Sequence, residues 1–175
     1  MGDAKDLTHE HHERRRLSSA LVGRELPQVL LDGFLEAELA VRSAVVMYVY
    51  PGLASSPDGG EHSPALDITQ HRAYDALEDE LAASDLFVVG VSSQPSQKPH
   101  ETVGGLDIRH MLLGDPQFLL ADSLGIPTFK EQGVKGYRRL TLVIRQGTIN
   151  KIFYPVRSPE TDPVQVLEWV RAQES

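Results

Sequence analysis

Cysteine is absent from this chain of 175 residues. That excludes disulfides, thiolate metal sites and any thiol nucleophile. Positive charge is in deficit: 17 Lys and Arg stand against 25 Asp and Glu, a net charge of -8. Such a balance argues against a broad nucleic-acid surface or one that clings to anionic membranes. No apolar run approaches the ~20 residues of a membrane span. The N-terminus lacks the apolar stretch of a secretory signal, so a cytoplasmic protein is expected.

What remains is ordinary for a soluble domain, with 41% hydrophobic and 24% charged residues. The length suits one domain with a sizeable core. Residues 1–17, "MGDAKDLTHEHHERRRL", have few large apolar groups and are expected to form a mobile charged arm before a domain over 18–175. His9, Glu10, His11 and His12 have metal-ligand chemistry, but a flexible segment offers nothing to orient them. They read as a solvated polar run, and neither a metal nor a cofactor is expected.

"LPQVLL" reads as a short strand. "SAVVMYVYP" (Ser43 to Pro51) reads as a central strand buried on both faces. "GLASSPDGGEHSPAL", rich in Gly, Pro and Ser, is a loop long enough to hint at function. Asp67 is read as the N-cap of the next helix, with Gln70 completing a capping box. Tyr74, Leu77 and Leu81 recur on its buried face. "DLFVVGVSS" follows as a second buried strand, in a right-handed parallel crossover.

The stretch from Pro95 to Asp115 reads as loop with a short helix near Glu101, and "DPQFLLADSLG" as a helix ended by Gly125. "RLTLVIR" and "TINKIFYPV" flank the two-residue turn Gln146-Gly147 as a hairpin. The last helix has Pro163 in its first turn and Val164, Leu167 and Val170 facing inward. The order β-α-β-α-β-β-α is that of an α/β protein with a thioredoxin-like fold, a central mixed sheet flanked by helices.

Four segments carry a more specific likeness: "VVMYVYPG", "VVGVSSQ", "LLGDPQFLLADSLGI" and "RRLTLVI". In this order and spacing the chain resembles the peroxiredoxin family, especially its monothiol and bacterioferritin-comigratory-like branches, over roughly residues 20–172. The family's peroxidatic motif is Pro, three residues, Thr or Ser, two residues, then Cys. Read locally, Pro51, Ser55 and Asp58 fit it, with aspartate in place of cysteine. Read ungapped from the following helix and strand, the cysteine position falls on Asp67, the hydroxyl position on Pro64 and the resolving position on Arg72. The second register is preferred because it places the extra residues in the long loop.

The family's active-site arginine carries over to Arg139, with Arg138 beside it. Topology agrees, since a hairpin strand starting there and antiparallel to the first strand begins where that strand ends. Asp67 and Arg139 are therefore the leading catalytic candidates. Asp58, His62 and Ser55 rank behind them, their glycine-flanked loop reading more simply as a solvated turn. Tyr50, Arg138 and His71 are candidates for ligand contact. The plainer readings put Tyr48 and Tyr50 in the core or a pocket wall and turn His71 to water.

A carboxylate is a poor nucleophile toward peroxide and has no sulfenic acid to cycle through. Thiol-peroxidase activity is thus excluded, whatever the fold. A helix N-terminus and an arginine both favour ionised Asp67, so a depressed pKa is expected. Two functions follow. One is a pocket repurposed to bind or transform a small organic molecule by acid–base or electrostatic means, as an isomerase, cyclase or lyase of specialised metabolism. The other is a non-catalytic binding or regulatory module, for which the resemblance also implies a homodimer.

Overall fold

The computed structural model describes residues 3–27, 44–53, 62–96, 102–103 and 106–174. The run read as a strand buried on both faces forms β1, Ala44–Val49. Its alternation divides the core in two. Val45, Met47 and Val49 point into one apolar cluster, and Ala44, Val46 and Tyr48 into the other. Polar alternation is missing from this strand because both faces are covered.

β2, Leu86–Ser92, pairs parallel with β1, and β5, Met111–Gly114, pairs parallel with β2. β8, Leu140–Arg145, runs antiparallel to β1, and β9, Thr148–Phe153, runs antiparallel to β8. The five-stranded order is β5-β2-β1-β8-β9. The hairpin turn is Gln146-Gly147 as expected, both residues having positive φ, 52° and 78°. Two small antiparallel pairs stand apart, β3 Thr102–Val103 with β4 Leu106–Asp107, and β6 Thr128–Glu131 with β7 Val134–Tyr137.

Among the described residues five helices cover the sheet. α1 is Asp3–Leu21, α2 Pro64–Ala76, α3 Glu78–Ala83, α4 Leu119–Leu124 and α5 Asp162–Glu174. Leu17 and Leu21 of α1 join the cluster with Val45 and Met47, as do Leu120 and Leu124 of α4. Tyr74, Leu81, Val166, Leu167 and Val170 pack against the opposite face. Gly125 ends α4 in the left-handed conformation, φ 73°. Among the described residues no helix is long and apolar enough to cross a membrane.

Several expectations need correcting. The charged N-terminal stretch is helical, because Leu17 and Leu21 lie four residues apart on one face and give the helix an apolar anchor. The cap of α2 is Ser63, whose hydroxyl accepts the Ala65 N–H at 3.1 Å with Pro64 at the first helical position. Asp67 sits one turn further in, and Gln70 bonds elsewhere. The helix breaks at Leu77, so Leu81 belongs to α3. The residues that follow Glu101 pair as β3 and β4 in place of a short helix. The β5 strand and the β6–β7 ribbon lay in segments read as loop or left unassigned. Of "LPQVLL" only Leu26 and Pro27 are described, and the rest lies outside the described residues.

On α5 the inward residues are Val166, Leu167 and Val170, while Val164 is 42% exposed. Trp169 meets Phe153 edge-on at 6.5 Å between ring centroids. Val166→Ala should therefore cost about 2 kcal/mol in denaturant unfolding, the loss expected for a buried branched side chain. Val164→Ala should leave stability within about 0.5 kcal/mol of the parent. Equal costs would contradict this facing of the helix.

Candidate functional site

Beyond β1 the chain leaves the sheet through Pro51 and Gly52. Gly52 has φ +65°, and a Cβ there would stand 2.6 Å from that of Ser92. Only glycine fits. This bend aims the Gly52 N–H at Asp67 Oδ2, 3.2 Å away. Asp67 projects from the first turns of α2, placed by the Ser63 cap upstream. β8 begins at Leu140, opposite Val49, so Arg139 arrives at the same end of the sheet.

The two side chains meet there. Arg139 Nη2 lies 2.7 Å from Asp67 Oδ1, with the side chains 5% and 7% exposed. Arg139 Nη1 donates to Gln70 Oε1 at 3.0 Å. Gln70 Nε2 donates in turn to Asp162 Oδ2 at 3.2 Å. That oxygen also accepts from the Tyr74 hydroxyl at 2.5 Å and the Thr141 hydroxyl at 2.7 Å. One polar network thus joins α2, β8 and the start of α5 to the ion pair.

Electrostatics here differ from the sequence expectation. Burial pushes the Asp67 carboxyl up from 3.8 to about 6, while the charge and hydrogen bond of Arg139 and the Gly52 amide hold it back. A neighbour-based reading captures the second group of effects and misses the first. Asp162 is also raised by burial, against three donated hydrogen bonds.

A cleft of about 590 Å³ opens against this pair. Its wall includes His62, Leu66, Arg138, Arg139, Tyr154 and Arg157, with His9, Glu10 and Glu13 of α1 on another side. Glu10 pairs with Arg157 across it. Arg139 Nε is buried without a hydrogen-bond partner among the described residues. Asp67 lies behind Arg139, 5% exposed as a residue.

The remaining candidates divide. His62 reaches the cleft and stacks on Phe129, ring centroids 3.5 Å apart. Arg138 lines the cleft beside Arg139. Ser55 and Asp58 lie outside the described residues. His71 does not face water: it is 3% exposed, and its Nδ1 is 2.8 Å from the Tyr48 hydroxyl. Burial, His110 and Arg139 lower it to about 3, so it is neutral at pH 7. Tyr50 is 3% exposed and packs edge-on to His71 at 4.6 Å, a core residue rather than a ligand contact.

Sequence reading missed His110, whose Nε2 lies 2.5 Å from the Tyr48 hydroxyl. It also missed Asp162 and Thr141, polar residues in apolar-looking elements. Only the odd presence of an uncompensated buried polar group signals such partners. Among the described residues, Asp75, Glu78 and His110 form the group able to hold a metal.

No protein-family profile matches the chain, and no curated protein sequence does either. Solved structures do match. Peroxiredoxin Q of Xanthomonas campestris superimposes with a TM-score of 0.65 at 18% identity, over 87% of this chain and 98% of that one. Peroxiredoxin Q of Xylella fastidiosa gives 0.64 at 19%, over 88% and 97%. Peroxidoxin BcpB of Mycobacterium tuberculosis gives 0.60 at 20%, over 89% and 96%. The protein has the thioredoxin-like fold of the peroxiredoxin type. It has that fold without any cysteine.

The raised Asp67 carboxyl should titrate by carbon-13 NMR with a midpoint of about 6. Arg139→Gln removes the opposing cation and should move the midpoint higher; a downward move would reverse the assignment of causes. Because the folded value exceeds the ordinary 3.8, protonation favours the fold. The contribution of Asp67 to stability is fully present below the ordinary value and is lost as pH rises to about 6. Asp67→Asn should flatten that part of the melting-temperature profile, and an unchanged slope would assign the proton to another group.

Proposed function

We propose that the protein binds and transforms a small organic molecule, with Asp67 and Arg139 acting where a peroxiredoxin uses a thiolate and an arginine. The observation that carries this is the buried ion pair behind the wall of the cleft, with Arg139 forming part of that wall. Arg139 has an Nε–H without a partner among the described residues and is suited to meet negative charge that a ligand carries or develops. Arg138 stands beside Arg139 on the same wall, while Arg157 is neutralised by Glu10; the two adjacent arginines favour a carboxylic or otherwise acidic ligand. Asp67, near 6, changes protonation close to neutrality. This suits acid–base isomerisation, cyclisation or elimination, with Arg139 touching the ligand and Asp67 tuning it from behind. The expected setting is the cytoplasm.

The second reading is a binding module without turnover. What favours it is the position of Asp67, 5% exposed and held by Arg139 and Gly52.

Native mass spectrometry of the protein purified from its own cells tests both. A co-purifying organic acid, lost in Arg139→Gln, is the expected result. Conversion of that molecule by the parent, and not by Asp67→Asn, would establish catalysis. Retained binding without conversion would favour the module. The pure, metal-free chain should consume no hydrogen peroxide; measurable consumption would overturn the proposal outright.

A further inference from the structure

Asp75 and Glu78 flank the break between α2 and α3, and His110 stands one residue before β5. One ligand atom from each lies within 4.8 Å of the other two. Acidic groups alone are common on protein surfaces; the histidine sets this cluster apart. His110 is 3% exposed. Its Nε2 is engaged by the Tyr48 hydroxyl at 2.5 Å, and its Nδ1 is buried with no hydrogen-bond partner among the described residues.

We propose that Asp75, Glu78 and His110 bind a divalent transition-metal ion such as Zn²⁺. An imidazole whose Nε2–H is donated to Tyr48 leaves the lone pair of Nδ1 available to a metal held with the two carboxylates. Without a metal ion that arrangement leaves a buried acceptor unmet, at a cost. With one it becomes a ligand. In that tautomer Tyr48 accepts from His110 and donates to His71 Nδ1, 2.8 Å away, which would hold the ring as the outer partners of metal-bound histidines do. The mixed nitrogen and oxygen donor set suits zinc or manganese better than calcium or magnesium. Ligand atoms sharing a zinc ion at ~2.1 Å lie roughly 3.4 Å apart, a spacing that small side-chain rotations reach from here.

Arg109 already supplies a cation. Its Nε is 3.1 Å from Asp75 Oδ1 and 3.3 Å from Glu78 Oε2, and its Nη1 is 3.1 Å from Asp79 Oδ1. Its side chain is 38% exposed, so the guanidinium has water to move into when a metal takes the carboxylates. Arg109 is thus a built-in competitor, and the site is tuned below the affinity its ligands alone would give. A bound ion would tie the α2–α3 break to the strand β5.

Calorimetric titration of the metal-free full chain with Zn²⁺ tests this. One ion per chain is expected. Glu78→Gln, at a half-buried position, should weaken binding at least tenfold while leaving the metal-free protein folded, and His110→Gln should do the same. Arg109→Gln should tighten binding several-fold. Zinc should also shift the Nδ1 nitrogen-15 resonance of His110. The histidines of α1 are the rival site, so replacing His9, His11 and His12 together by alanine should leave one ion bound. Four results would each overturn the proposal: no binding, affinity unchanged in Glu78→Gln, binding abolished in the α1 triple variant, or weaker binding in Arg109→Gln.

Discussion

A carboxylate and a guanidinium, both withdrawn from water, govern this molecule. Desolvating two charges is expensive, and their mutual attraction recovers the cost only with good geometry and further hydrogen bonds. Here the geometry comes from three separate parts of the chain. The Gly52 bend supplies an amide, α2 supplies the acid and the start of β8 supplies the base. Removing either charge strands the other in a dry place. The negative centre therefore lies where β1 leaves the sheet and β8 enters it.

The pair does not act in isolation. Gln70 carries its influence to Asp162, where Tyr74 and Thr141 converge on one oxygen. Asp162 opens α5, so the C-terminal helix is docked by polar as well as apolar contacts. On the other side of α2, His71 bonds Tyr48, and Tyr48 bonds His110. Tyr48 also stacks flat on Tyr74 at 4.3 Å. α2 therefore connects two polar systems through an aromatic layer.

Sequence pattern revealed the parts whose signal is local. The apolar run of β1, the crossover to β2 and the Gln146-Gly147 hairpin are all where the residues put them. The meeting of residue 67 with residue 139 is what the resemblance implies, and the antiparallel register of β8 on β1 agrees with it because it fixes where that strand starts. Three things were hidden. Ser63 took the cap because Pro64 prefers the first helical position, a competition between two good signals. β5 was hidden because four residues in a Gly-rich stretch give too short a period to read. The raised carboxyl of Asp67 was hidden because burial is a sum over distant elements, and no neighbour in sequence records it. Asp162 and His110 escaped for the same reason.

One tryptophan serves the whole chain, and it sits on the last helix against Phe153. Fluorescence from this protein is consequently a local witness. Its emission follows the seating of that helix on β9, and a thermal transition tracked by it dates the release of one amphipathic segment. Events at the far edge, around β5, would pass unseen by the same light.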